Sequence, residues 1–317
     1  MDAARFHAEI VQAAQPALLR GLVADWPAVR ADDLHAYLRR FETAKSTEAF
    51  FGKPEIGGKY YYNQDLSGFN FERRTLSFPQ ALRAIFAPGE ETTYLGSVPV
   101  DDYLPGFSAE NPMALAGTAG PRLWIGHPSN VSSHYDTYDN LICCVAGRRE
   151  FTLYSPDCIG NLYVGPIDNT MAGQPVSLAA SSPDEAEHFP LFEEIRDSAI
   201  EIELNPGDAL YLPKLWWHQV RSTEPVNAMV NYWWDATATG PDSPYTGLLL
   251  SMIAIAERPL AERRAWKAFF DHYVFREAGH PLAHLPAEKH GILGPLKPDN
   301  YGRIRARIMY LLRSFGG

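Results

Sequence analysis

From about Arg122 to Trp234 the chain runs in short apolar stretches rich in β-branched and aromatic residues: Arg122–Gly126, Asn140–Ala146, Glu150–Tyr154, Ala199–Leu204, Ala209–Leu212, Trp217–Ser222 and Ala228–Trp233. Ala146-Gly147-Arg148 and Asn205-Pro206-Gly207-Asp208 supply turn chemistry between them. Closely spaced strands with Gly and Pro in the connections predict a sandwich or barrel. The N-terminal side is mixed. Ala3–Ala14 has apolar residues near helical spacing, and Pro16–Val23 predicts a strand closed by Asp25-Trp26-Pro27. Asp32 is the predicted cap of a helix ending at Phe41, and Ser77-Phe78-Pro79 opens another that ends near Phe86. Lys59–Asn63 and Thr92–Val98 read as strands.

Two segments break the strand series. Tyr154–Ser198 is long and polar, and its Pro183-Asp-Glu-Ala-Glu187 patch predicts a surface excursion, either a functional lid or a plain loop. Beyond Asp242 the pattern turns helical over Tyr245–Ala256, Pro259–Phe275 and Asn300–Phe315. Leu248, Leu249, Met252 and Ile255 form a stripe that must be buried on the barrel or on a second copy. The expected organisation is therefore a β-domain with N-terminal helices over 1–240 and a helical region over 241–317. That region serves as a dimerisation element, and a homodimer is expected.

Composition narrows the function classes. The chain has 317 residues, 46% of them apolar and 21% charged, enough to build a core and unlike a disordered chain. Acidic residues outnumber basic ones, 38 to 28, for a formal charge of −10, which argues against a nucleic-acid partner. Arg303, Arg305 and Arg307 sit at helical spacing and read as one solvated face. Cys143, Cys144 and Cys158 are an odd set inside or near apolar runs and read as free thiols, with no zinc site. No apolar run reaches membrane-spanning length and no leader is evident. The expectation is a cytoplasmic protein with no membrane partner.

The candidate chemistry lies in Ser132-Ser-His134-Tyr-Asp136-Thr-Tyr-Asp-Asn140. On a strand, side chains two apart share a face, so His134 and Asp136 would both point into a barrel. His218 follows about 80 residues later, after Pro206-Gly207-Asp208, an apolar strand and Pro213. Two imidazoles and one carboxylate hold Fe(II) facially and leave three positions open for a bidentate keto-acid and dioxygen. Taken alone, His-x-Asp with a distant His also fits an ordinary surface pair. His127 and His188 read as structural or solvated histidines, and Trp216 and Trp217 as core and wall.

In combination these fragments are more specific. Pro16–Pro27, His134-Tyr-Asp136 through Tyr154-Ser-Pro156, Pro206-Gly207-Asp208 through His218, and Val230-Asn231-Tyr-Trp233 together resemble the cupin-like branch of the JmjC family of iron(II)/2-oxoglutarate oxygenases. Within that family the chain is similar to its asparaginyl hydroxylases. The resemblance implies a mainly β fold, a double-stranded β-helix (cupin or jelly-roll) barrel with N-terminal and C-terminal helical additions. It implies His134, Asp136 and His218 as catalytic iron ligands and 2-oxoglutarate as co-substrate. It places Arg149 where members usually carry a Lys that anchors the far carboxylate, a departure that keeps the charge but changes the reach. Tyr94 matches a tyrosine holding the same carboxylate, and Asn140 and Asn231 match asparagines of the co-substrate pocket. A threonine often found in the family is Val131 here, so Ser132 is expected to substitute. The implied reaction is hydroxylation of a protein or peptide side chain. Hydroxylation of a small metabolite and a metal-binding cupin without oxygenase activity are the alternatives.

Overall fold

The computed structural model describes residues 2–63, 67–167, 173–181, 187–237, 242–295 and 298–314. Two compact units are present, Met1–Ala236 and Thr237–Gly317.

The first unit is a two-sheet β-sandwich. Its strands are β1 (Ala17–Leu19), β2 (Ser46–Gly52), β3 (Lys59–Tyr60), β4 (Glu72–Ser77), β5 (Thr92–Pro99), β6 (Pro121–Gly126) and β7 (Ser129–His134). They continue as β8 (Asp139–Ala146), β9 (Arg149–Tyr154), β10 (Ile200–Leu204), β11 (Ala209–Leu212), β12 (Trp217–Ser222) and β13 (Asn227–Trp234). One sheet has eight strands in the order β1-β11-β8-β13-β6-β5-β2-β4, the other five in the order β10-β9-β12-β7-β3. Pairing is antiparallel except for the short β3–β7 contact. This is the jelly-roll arrangement.

Alternation along the strands explains the layers. Strand β8 is buried along nearly its whole length, so it reads as an unbroken apolar run. Leu141, Cys143 and Val145 face the outer layer, where Phe6, Trp26, Leu38, Phe78, Leu82 and Phe107 cover the larger sheet. Ile142 and Cys144 face inward and pack with Phe151, Leu153, Leu204, Leu210, Leu212 and Val220 between the sheets. Each fully buried side chain of this size stabilises the fold by roughly 1.5–3 kcal/mol relative to exposure.

The core strands lie within a residue of their predicted bounds, and the Phe78–Phe86 helix starts from a Ser77–Gln80 capping box. Two expectations need correction, and two features add to the reading. The predicted strand over Pro16–Val23 is confined to Ala17–Leu19, because Gly21 takes φ +67° and starts a turn. The cap of the Leu34–Arg39 helix is Asp33, whose carboxylate accepts from the Ala36 N–H, and not Asp32. Strand β4 opens on the charged Glu72-Arg73-Arg74 and β2 mixes Ser, Thr, Glu and Ala before Phe50, so neither shows as a strand in the sequence, yet they pair with each other at the sheet's edge. The Tyr154–Ser198 excursion has its own apolar cluster, in which Leu162, Ala179 and Phe192 pack with Tyr135, Tyr154 and Trp217. Its Pro183-Asp-Glu-Ala patch lies outside the described residues.

The second unit is helical over Pro244–Ile255, Leu260–Phe270 with a further turn at Asp271–Phe275, and Pro298–Ser314. Within it Arg305 pairs with Asp242 at 3.6 Å. The Leu248, Leu249 and Met252 stripe is exposed. Phe315, the predicted end of the last helix, lies outside the described residues.

Candidate metal centre

His134 ends β7 and His218 lies at the start of β12, and the two are register partners across the sheet. Their rings sit 4.3 Å apart, centroid to centroid. The register shifts between His218 and Val220, a β-bulge next to the histidine pair. Both rings are held alike. His134 Nδ1 lies 2.8 Å from the Ser132 carbonyl, and His218 Nδ1 lies 3.0 Å from the Trp216 carbonyl. An Nδ1–H donated to a carbonyl leaves the Nε2 lone pair free for a metal, the usual way a ligand tautomer is fixed.

Asp136 does not share the strand with His134, as the alternation argument supposed. β7 stops at His134, and Asp136 stands in the loop that follows. Its Oδ2 nevertheless lies 3.8 Å from His218 Nε2. The loop is pinned at both ends. The Asp136 carbonyl accepts from the Leu215 N–H at 2.8 Å, and Leu215 holds φ +69°, a conformation rare for leucine. Buried Asp139, which opens β8, accepts from the Tyr211 hydroxyl at 2.8 Å and the Ala236 N–H at 3.0 Å, and Lys214 is 3.6 Å away. One donor atom each from His134, Asp136 and His218 fall within 4.8 Å of one another, close enough for a single ion to touch all three. Burial, then the neighbouring His134, pulls the His218 imidazole below its ordinary range against the pull of Asp136. It is therefore neutral near pH 7, the form in which an imidazole can take a metal. Two imidazoles and a carboxylate suit a divalent first-row ion with positions left open.

The same cluster opens onto a cavity of about 80 Å³ between the sheets. Tyr94, Asn140, Arg149 and Asn231 all line it. Arg149 is 1% exposed, and its Nε and Nη2 are buried without a hydrogen-bond partner. A buried guanidinium left this way is costly, and an acid entering the cavity would satisfy it. Gly147, at φ +72°, makes the turn that delivers Arg149, and a Cβ there would run into the Asn227 side chain. Burial raises the Tyr94 phenol, against the pull of Arg149 beside it, so it stays a neutral donor. Asn231 donates to Asn140 Oδ1 at 2.9 Å and accepts from Trp124 Nε1 at 2.7 Å, which fixes the orientation of its amide.

Ser132 is the site residue that falls elsewhere. Its hydroxyl donates to the Tyr60 carbonyl at 3.2 Å, and Val131 is the neighbour that lines the cavity. Val131 faces the cavity and its neighbour Ser132 faces away; the register shift between the His218–His134 and Val220–Val131 pairs breaks the alternation and returns His134 to the cavity, so only the Ser132 backbone carbonyl serves the site. His127 accepts the Thr93 N–H on Nδ1, His188 is exposed, and Cys143 and Cys144 are buried thiols, with Cys144 pushed up to about 11 by burial. Aromatic walls were not anticipated: Phe50, Tyr60, Phe71, Trp124 and Trp233 line the cavity too. Trp233 sits two residues after Asn231 on one strand face, a spacing that marks it in the sequence. Phe50 belongs to β2, which has no clear strand pattern.

A jelly roll whose strands and one connecting loop bring together two imidazoles and a carboxylate puts this protein in the cupin class. Residues 3–240 match the cupin-like domain family, and the chain belongs to it. Similar proteins include Jumonji C domain-containing protein 5 of Drosophila melanogaster, 27% identical over 240 residues, 73% of this chain and 57% of that one. Lysine-specific demethylase JMJ31 of Arabidopsis thaliana is 37% identical over 105 residues, 33% of this chain and 19% of that one. Human HSPB1-associated protein 1 is 30% identical over 149 residues, 45% of this chain and 30% of that one. The matched region thus spans between 19% and 57% of these relatives' lengths. The solved structure of E. coli ycfD aligns with the whole chain and 69% of its own, at 13% identity and a TM-score of 0.46.

Proposed function

We propose that this protein is an Fe(II)- and 2-oxoglutarate-dependent oxygenase that hydroxylates a prime substrate as 2-oxoglutarate is decarboxylated to succinate. The observation that carries the reading is the buried Arg149, whose unpartnered N–H groups share one small cavity with His134, Asp136 and His218. His134, Asp136 and His218 would hold the iron, which when bound supplies the activation of dioxygen. Arg149 and Tyr94 bind the far carboxylate, and Asn140 and Asn231 orient the keto-acid. The aromatic walls exclude water. The prime substrate is a protein or peptide side chain, in keeping with a relative named as a lysine-specific demethylase.

Anaerobic addition of Fe(II) and 2-oxoglutarate should produce a visible charge-transfer band, absent in His134→Ala. A folded wild-type protein without the band overturns the reading. Turnover of 2-oxoglutarate to succinate separates it from a metal-binding cupin without oxygenase activity. The working unit is a homodimer through the C-terminal helices; in its support, Pro244–Ile255 and Leu260–Phe270 have no buried residue and carry exposed apolar side chains. Three free cysteines fit the reducing cytoplasm. Among the described residues no helix is long and apolar enough to cross a membrane.

A further inference from the structure

Arg122 is a half-buried cation that the site described above does not use. It lies on β6 opposite Asn231 of β13, two residues before Trp124. Paired residues across a ladder share a face, as do residues two apart. Arg122 therefore stands on the inner face beside Trp124 and Asn231, both of which line the cavity. Its guanidinium lies over the ring of Trp233, another lining residue, 5.9 Å from the centroid. Arg122 is not itself among the lining residues; it stands behind them, next to three that are.

The guanidinium is held but not neutralised. Its Nε donates to the Ser97 hydroxyl. Ser97 has φ +55°, which is uncommon outside glycine and asparagine, and it sits where the β5–β6 register shifts between Leu95 and Val98. A local bulge and a strained serine thus fix the angle of one arginine. No carboxylate among the described residues lies in ion-pair reach of Arg122, in a chain with 38 acidic residues. Among the described residues neither Nη atom takes part in a hydrogen bond or an ion pair. Nε and the ring face are occupied, and the two Nη groups remain to grip an acid end-on.

We propose that Arg122 determines specificity by binding a carboxylate of the prime substrate, against the wall formed by Trp233. A single guanidinium balances one monovalent carboxylate. A phosphate dianion would call for a second cation. The acid is either an Asp or Glu side chain of a peptide or the carboxylate of a small molecule. The inference rests on the oxygenase reading for what the bound molecule is, but not for whether it binds.

The test is calorimetric, on the full chain loaded anaerobically with Fe(II) and saturating 2-oxoglutarate. One arm uses a peptide panel in matched Asp/Asn and Glu/Gln pairs. The other uses free small acids with their primary amides. Wild-type protein should bind acids about tenfold more tightly than their amides in one of the arms, which identifies the source. Arg122→Gln should abolish that preference while leaving amide binding in place, and Arg122→Lys should restore part of it. If no acid outbinds its amide, or if the preference survives in Arg122→Gln, the proposal is overturned. The charge-transfer band of wild-type protein decides the oxygenase reading separately, so the two can fail independently.

Discussion

Arg149 shows how far one residue can be read from its physics. The turn at Gly147 and the strand that follows place it inside the sandwich, where its charge is nearly dry. A buried charge without its partner destabilises a fold, and Arg149 leaves two N–H groups unsatisfied. Arg149→Met should therefore leave the ligand-free protein as stable or raise its Tm, while weakening 2-oxoglutarate binding by about a hundredfold or more. Thermal melts with and without the keto-acid check both halves. A lower Tm without ligand would mean that the guanidinium supports the fold itself. Asp208 is the opposite case. Burial pushes its carboxyl up, but the Gly21 N–H, the Arg20 guanidinium and the Asn205 N–H together outweigh burial and hold it below the usual carboxylate range. A depressed carboxyl stabilises the fold above about pH 4, and that contribution is lost as the pH falls through the folded-state value. Asp208→Asn should cost about 1–2 kcal/mol at pH 7 and progressively less below pH ~4, as measured by denaturant melts across that range.

At the scale of elements, the loop between β7 and β8 decides whether the three donors meet. A strict strand would have carried Asp136 on the ladder, but the chain leaves the sheet at His134 and two anchors recover the geometry. One is the Leu215 N–H on the Asp136 carbonyl, and the other is the set of groups around Asp139. Outer partners of metal ligands tune affinity by roughly tenfold to a hundredfold. Asp139→Asn should weaken Fe(II) or Co(II) binding in that range and cost about 1.5–3 kcal/mol of stability, since the buried Tyr211 hydroxyl loses its charged acceptor, while Lys214 keeps its closer partner Asp235. Asp139→Glu should not rescue it, because the longer side chain misplaces the carboxylate. An unchanged metal titration would show that the loop holds its shape without Asp139.

For the molecule as a whole, the exposed apolar surface of the C-terminal unit is the feature to explain. Ile253 is 83% exposed, Phe269 57%, Phe275 64% and Tyr310 61%. A helix apolar around much of its circumference needs cover. Sedimentation at micromolar concentrations should show a dimer, and Ile253→Glu with Phe269→Glu should give a monomer with the jelly roll intact. A wild-type monomer at all concentrations would remove the dimer from the proposal.

Resemblance to a family points to Arg149, Tyr94, Asn140 and Asn231, while the chain's own pattern determined β6, the strands from β8 to β13, the turns at Gly147 and Gly207, and the trio His134, Asp136 and His218. These are legible because alternation, turn chemistry and side-chain type are local properties of the sequence. Only the tertiary structure decided that Asp136 reaches its partners from a loop, that Ser132 faces away, and that β2 supplies part of the cavity wall. It alone placed Arg122, without an ion-pair partner among the described residues, beside the cavity's lining. Those outcomes depend on which segments become neighbours across the sheets, and no window of sequence records a contact between residues distant in the chain.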